Sequence, residues 1–331
     1  NGLSSEVRAA ITGHRGKVMI QLSTKHFITG EEVSTTELSD LIDTAIELKK
    51  IRHTSKDFRL SRPCHLAMMF DKPSLRTRFS FSVAMTELGG HVIESVGANR
   101  KKEEPKDTIR VLQGYVDAVM IRTDDPQFVF DMAEVSRVPI INGLTDDDHP
   151  CQTLADLQTL KERFGTLEGL TLSYVGDGNN ILHSLLLLAP CLGVNIHYSC
   201  PQGYGPSSLI LNRAIRRASG ANGRIQSFVR PEDAVAGAHA VYTDVWTSMG
   251  FEKSARERAK AFLEFQVNEE LMSYADRSAV FLHCLPMERG QEVSSTLPDL
   301  DCSAIFQQSE NRLHAQKALL VGLLNRDGVS L

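Results

Sequence analysis

The chain has 331 residues, too many for one compact core, and a prior of about 100–200 residues per domain points to two domains. Hydrophobic residues make up 42% and charged residues 23%, the balance of an ordinary globular protein. The net charge of −5 leaves no basic footprint for nucleic acid or for an anionic membrane. The longest apolar run, "ILHSLLLLAP", falls short of the ~18 residues a membrane span needs and is interrupted by His183 and Ser184. The opening "NGLSSEVRAAITGHRGK" lacks the apolar stretch of a secretion signal. The six cysteines contain no C-x-x-C pair, so they read as reduced thiols rather than disulfides or a structural zinc site. Cytoplasm is the expected location.

In chain order, "TTELSDLIDTAIELKKIRH" predicts an amphipathic helix with Thr35 or Thr36 as its N-cap. Strand-like runs follow, "CHLAMMF", "HVIES", "AVMIR" and "VPIIN", with helical material between them. A second series reads "TLSYVG", "VNIHYSC", "RIQSFV", "HAVYTDVW" and "SAVFLHCL". This alternation is the signature of α/β architecture with parallel sheets covered by helices, repeated twice. The break between the halves is expected in or near "HPCQTLADLQTLKERFG", giving units 1–150 and 151–310. The last helix, within 311–331, is able to pack on either half and is assigned to the first.

Ligands in open parallel α/β sheets sit at the carboxyl ends of strands, where loops and helix N-termini converge. "FDKPSLRTRFSF" places a turn between a strand and a predicted helix. It offers backbone N–H groups, the hydroxyls of Ser74 and Thr77, and the guanidinium groups of Arg76 and Arg78 to one small volume. An oxyanion or phosphate suits that turn; the alternative is a solvated helix start with surface arginines, and no Walker loop is present. Arg122 closes "AVMIR", either as a ligand or as a surface charge. His149 and Gln152 of "HPCQ" stand at a helix start with Pro150 in the first position, facing a crevice or merely capping and packing.

"YVGDGNNILHS" approaches a dinucleotide fingerprint, but Ile181 replaces the third glycine and the next strand, "VNIHYSC", ends without an acidic residue for a ribose. A nicotinamide dehydrogenase is therefore the weaker alternative, and Asn179 and Asn180 are left to bind something polar. In "YTDVWTSMG", Asp244 beside Thr247, Ser248 and Met249 suits an ammonium ligand, or else caps its turn. "FLHCLP" sets Cys284 at a strand end, where a cysteine is otherwise a small hydrophobe. Arg312 opens the final helix in "SENR".

The ordered series "SLRTR", "HPCQTLADL", "GDGNN", "DVWTSMG" and "HCLP" resembles, across nearly the whole chain, the ornithine carbamoyltransferase family. In the related aspartate carbamoyltransferases the last two blocks look different, so they decide the second substrate. The resemblance implies two doubly wound α/β domains with the active site in the interdomain cleft, assembled as a homotrimer. It implies carbamoyl transfer from carbamoyl phosphate to the δ-amino group of L-ornithine, giving citrulline and phosphate, in arginine biosynthesis or, run the other way, in citrulline breakdown, with no cofactor and no metal. Ser74, Leu75, Arg76 and Thr77 would hold the phosphate, with Arg122 and Arg312 adding charge, and His149 and Gln152 would orient the carbamoyl group. Asn180 would bind the ornithine carboxylate, while Asp244, Ser248 and Met249 would place its amino groups. Cys284 and the backbone of Leu285 would lie where nitrogen meets carbon. The catalytic set is then Cys284, Asp244, Arg122 and His149.

Two departures from the family stand out. Leu75 replaces the usual threonine, yet keeps the backbone N–H that matters for phosphate. The loop "VGANRKKEEPKD", which in the family reaches a neighbouring subunit's site, is shorter and more charged, and Arg100, Lys101 and Lys102 receive no role. Chemically, an ammonium with pKa ~10.4 is a free amine in only about one molecule in 2,500 at pH 7, a deficit of roughly 4.6 kcal/mol. A Cys284 thiolate, its pKa lowered by nearby arginines and helped by Asp244, is expected to take the proton. Arg76, Thr77 and His149 are expected to donate to the carbonyl oxygen.

Overall fold

The computed structural model describes residues 20–54, 58–97, 103–247 and 255–325. The first helix, α1 (Thr35–Ile51), is capped by Ser34, not by Thr35 or Thr36 as the sequence suggested. Ser34 Oγ accepts from the Glu37 N–H at 3.2 Å, and Glu37 Oε2 accepts from the Ser34 N–H at 2.8 Å. A start at either threonine would put Leu38 or Ser39 in the reciprocal position, and neither can return the bond.

Two all-parallel sheets follow. The first holds β1 (His65–Phe70), β2 (His91–Val96), β3 (Ala118–Arg122) and β4 (Ile140–Leu144) in the order β2-β1-β3-β4. Its connecting helices are α2 (Leu75–Glu87), α3 (Pro105–Leu112) and α4 (Pro126–Val135). The second sheet holds β5 (Thr171–Val175), β6 (Asn195–Ser199), β7 (Ile225–Phe228), β8 (Ala240–Thr243) and β9 (Val280–His283), in the order β7-β6-β5-β8-β9. With it come α6 (Asn180–Leu188), α7 (Ser208–Ala218), α8 (Pro231–Val235), α9 (Ala255–Ala261) and α10 (Glu269–Met272). Central strands are apolar on both faces, since Leu66 to Phe70 and Ala240 to Thr243 are buried without interruption, as sheets covered on both sides require.

Between the sheets lies α5 (Pro150–Phe164), buried at every position from Pro150 to Leu160. A helix buried all round is wedged between layers, and one continuous core cluster runs from Leu66 and Met68 through Leu154 and Leu157 to Leu172 and Tyr242. The last helix, α11 (Ile305–Leu324), packs on α5, α1 and α2 and touches β9. In each sheet the strand order reverses beside one strand, β1 or β5. The crevices at these reversals open at the carboxyl ends of β1, β3, β5 and β8. The strand predicted across "HAVYTDVW" stops at Thr243, so Asp244 is the first residue beyond it. Among the described residues, no helix is long and apolar enough to cross a membrane.

Candidate active site

A cavity of about 490 Å³ opens between these strand ends. On its first wall, Ser74 precedes α2 in extended conformation and makes no side-chain cap, and no acidic residue lies in the first turn. The leading N–H groups of α2 are thus uncapped donors at the positive end of a helix dipole. Ser74, Leu75, Arg76 and Thr77 all line the cavity. Leu75 is 67% exposed there and puts an apolar side chain on the cavity lining.

Arg122, at the end of β3 and in register with Phe70 of β1, and Arg312, from α11, complete a group of three guanidinium ions with Arg76. Burial and the charges of Arg312 and Arg76 push Arg122 down to about 10. Burial also lowers Arg76 and Arg312. Arg312 Nη1 donates to Gln152 Oε1 at 2.8 Å and Nη2 to Thr77 Oγ1 at 3.1 Å, while Arg122 Nε is buried without a partner. Among the described residues, none of the three pairs with a carboxylate. Three half-buried to buried cations with no counter-anion form a built anion site.

His149 is the N-cap residue of α5 and only 4% exposed. Burial first, then Arg312, Arg122 and Arg76, hold its ring well below the usual histidine range, so it is a neutral imidazole, and its Nδ1 has no partner. Gln152 is fixed from both ends. Its Oε1 accepts from Arg312, and its Nε2 donates to Asp156 Oδ1 at 2.8 Å. The same oxygen accepts from Gln308 Nε2 at 2.7 Å, and Gln308 Oε1 accepts from the His283 N–H at 2.9 Å. This buried chain ties α5 and α11 to the end of β9.

The opposite wall belongs to the second sheet. Asp244 Oδ2 accepts from Asn179 Nδ2 at 2.7 Å, and Asp244 Oδ1 accepts from the Cys284 thiol at 3.0 Å. Asn179 also caps α6 and accepts from the Tyr174 hydroxyl at 3.2 Å. Asn180 lines the cavity and donates to the Thr145 carbonyl at 2.7 Å. Leu285, with φ 59, turns the chain beyond β9, and its N–H donates to His283 Nδ1 at 2.9 Å. The thiolate expected at Cys284 is overturned: burial, then the Asp244 charge and its hydrogen bond, raise the thiol well above its ordinary value. The facing arginines are outweighed because burial disfavours the thiolate and Asp244 both adds like charge and accepts the thiol's hydrogen bond directly.

The structure thus brings Ser74, Leu75, Arg76, Thr77, Arg122, His149, Gln152, Asn180, Asp244, Cys284, Leu285 and Arg312 to one cleft. Ser248, Met249, Arg100, Lys101 and Lys102 lie outside the described residues. Sequence reasoning missed the Lys72–Asp124 ion pair (2.7 Å) on the rim and the supporting Asp156 and Gln308, whose only signal was polarity inside otherwise buried helical stretches. Among the described residues, Asp244, His283 and Cys284 are the one grouping with metal-ligand spacing, their donor atoms within 4.8 Å. Each is already engaged: His283 Nε2 faces Glu292 at 3.1 Å, its Nδ1 accepts from Leu285, and the thiol donates to Asp244.

The dinucleotide alternative fails on packing. A Cβ on Gly178 would lie 2.2 Å from the Gly205 carbonyl carbon, and the Gly178 N–H donates to the Tyr204 carbonyl at 2.8 Å. The space over the second glycine, where a pyrophosphate would approach, is filled by the chain itself.

Two family models match in tandem: the aspartate/ornithine carbamoyltransferase carbamoyl-P binding domain over residues 25–162, and the Asp/Orn binding domain over residues 168–323. The chain belongs to the aspartate/ornithine carbamoyltransferase family. Within it, the chain is 46% identical over 308 residues to the ornithine carbamoyltransferase of Anoxybacillus flavithermus, covering 92% of this chain and 98% of that one. It is 42% identical over 306 residues to the anabolic ornithine carbamoyltransferase of Pyrococcus furiosus, covering 92% and 97%. The solved ornithine carbamoyltransferase from Pyrococcus furiosus superposes with a TM-score of 0.89 at 41% identity, covering 94% of this chain and 100% of that one. The anabolic enzyme from Campylobacter jejuni gives 0.85 at 36% identity, covering 92% and 100%. The carbamoyltransferase fold is therefore shared over almost the whole chain.

Proposed function

We propose that the chain transfers the carbamoyl group of carbamoyl phosphate to the δ-amino group of L-ornithine, giving citrulline and phosphate. A C–N bond forms and the bond from the carbamoyl carbon to the phosphate oxygen breaks. The observation that carries the reading is the pairing of two walls: three guanidinium groups without a carboxylate partner face Asp244 and Cys284 across one cavity. An anion is gripped on one side and an ammonium received on the other.

In this reading Ser74, Leu75, Arg76 and Thr77 hold the phosphate through uncapped N–H groups and hydroxyls, with Arg122 and Arg312. Gln152 and neutral His149 orient the carbamoyl group, and Arg76, Thr77 and His149 donate to its oxygen as negative charge develops, where one donor contributes about 3–4 kcal/mol. Asn180 takes the ornithine carboxylate; Asp244, Ser248 and Met249 place its amino groups. Asp244, already a double acceptor, receives the ammonium through a charge-assisted hydrogen bond as the Cys284 thiol gives up its bond to it; ornithine reacts as the free amine after losing one proton to solvent, and the second N–H proton leaves with the phosphate. The arginines then hold the departing phosphate.

The accompanying organisation is a first unit, 1–150, for carbamoyl phosphate, with the terminal helix returned to it, and a second, 151–310, for ornithine. A homotrimer in the cytoplasm fits the family resemblance and the six free cysteines. A colorimetric citrulline assay with a panel of amine acceptors tests the function. Ornithine should be carbamoylated and aspartate should not; citrulline absent with ornithine, or product formed equally from aspartate, overturns it.

A further inference from the structure

The α6 motif "NNILHS" contains two buried polar residues that the transfer reaction has not used. His183 is 6% exposed and Ser184 fully buried. Asn180, His183 and Ser184 stand at i, i+3 and i+4, which places them on one face of the helix. That face meets the loop between β4 and α5, and each side chain takes one backbone group. Asn180 Nδ2 donates to the Thr145 carbonyl at 2.7 Å, His183 Nδ1 meets the Asp147 carbonyl at 2.9 Å, and Ser184 Oγ accepts from the His149 N–H at 2.8 Å.

The tautomer of His183 follows from its second bond. The Ser207 N–H donates to Nε2 at 3.0 Å, so Nε2 is bare and Nδ1 carries the hydrogen given to Asp147. Burial, with Arg213 nearby, keeps the ring neutral against the opposing bond and charge of Asp147. The loop is also braced within itself, as the Thr145 N–H donates to the Asp148 carbonyl at 2.9 Å and the Asp148 N–H to Thr145 Oγ1 at 3.2 Å. It therefore moves as one piece, and α6 sets where that piece stands.

We propose that His183 and Ser184 are positioning residues for the transfer step: with Asn180 they form a helix face that holds the 145–149 loop and so fixes His149 over the carbamoyl group. The inference rests on the proposed function of this cleft and adds to it a coupling. Asn180, assigned to the ornithine carboxylate, shares that face, so the group contacting the second substrate and the loop presenting His149 to the first are held by one rigid turn.

Asn and Gln substitutions separate the two ring nitrogens. An Asn amide nitrogen falls near Nδ1 and can still donate to Asp147, whereas a Gln amide falls near Nε2 and keeps only the Ser207 bond. Kd is measured by calorimetry for carbamoyl phosphate and for inorganic phosphate, with kcat for citrulline formation, in His183→Asn, His183→Gln, His183→Ala and Ser184→Ala. The expected result is a carbamoyl phosphate to phosphate affinity ratio lowered about tenfold in the Gln and both Ala variants, about 1.4 kcal/mol. The Asn variant should stay within about threefold of the natural protein, and phosphate affinity itself, held by the arginines, should hold within about twofold in all four.

Equal ratios in the Asn and Gln variants would overturn the proposal, as would a parallel loss of phosphate affinity, the mark of a purely structural role. If the variants show the ratio effect but the natural protein makes no citrulline, the proposed function fails, and what stands is that His183 and Ser184 position His149 for binding carbamoyl phosphate. Natural protein that binds carbamoyl phosphate no tighter than phosphate sinks both.

Discussion

Replacing Arg122 by methionine should make the ligand-free protein more stable while removing its response to phosphate. The drop of Arg122 to about 10 corresponds to about 3 kcal/mol held against the charged form, at ~1.4 kcal/mol per pH unit. The sign follows from the direction. The cation is disfavoured in the folded state, so the penalty is full at every pH below about 10 and fades only as pH rises from there toward the unfolded value. Methionine keeps much of the apolar stem and removes both the unpartnered Nε and the charge facing Arg76 and Arg312. A gain of about 2 kcal/mol is expected in phosphate-free buffer at pH 7, read as a higher urea midpoint. Inorganic phosphate at 100 times its Kd should then stabilise the natural protein by about 2.7 kcal/mol and the variant by less than about 1 kcal/mol. If Arg122→Met unfolds at lower urea without phosphate, and phosphate protects it as well as the natural protein, Arg122 is a structural cation and the anion-site argument fails.

Other consequences are checked more simply. Because its pKa is raised, Cys284 should resist iodoacetamide from pH 7 to 9, followed by mass spectrometry of its peptide; rapid labelling at pH 7 would restore the thiolate reading. Cys284→Ala should lose turnover far more than phosphate affinity. Asp244→Asn keeps the side-chain shape but removes the charge that receives the ammonium; kcat/KM for ornithine should fall by about 10²–10³-fold, the range for losing one partner of a buried charge pair, with phosphate affinity little changed. Ser34→Ala removes the α1 capping box and should cost about 1 kcal/mol in urea unfolding while leaving citrulline formation untouched.

The parallel sheets were legible because each strand is a short apolar run at a two-faced buried position. "HLAMMF" and "AVMIR" could hardly be anything else once helical stretches separated them. The end of β3 was legible for the same reason, since polarity returns at Arg122, whereas the end of β8 was not, because Val245 and Trp246 continue the apolar pattern beyond Asp244. Short-range detail was also harder to read. The capping residue of α1 lies one or two positions before the threonines the sequence suggested, because a capping box depends on a pair, Ser34 with Glu37, and a threonine caps as well as a serine only where such a partner follows.

Sequence alone determined which groups are available, three arginines, a neutralisable ring, a carboxylate and a thiol, because residue type fixes what a side chain can donate, accept or ionise. Tertiary structure decided their states. Cys284 is held as a thiol by burial and by Asp244, 40 positions away in the chain, whose carboxylate stands 3.0 Å from its sulfur, and His149 is held neutral by burial and by three arginines from α2, β3 and α11. Charge interactions fall off with distance in space, and that distance is set by packing between residues far apart in the chain.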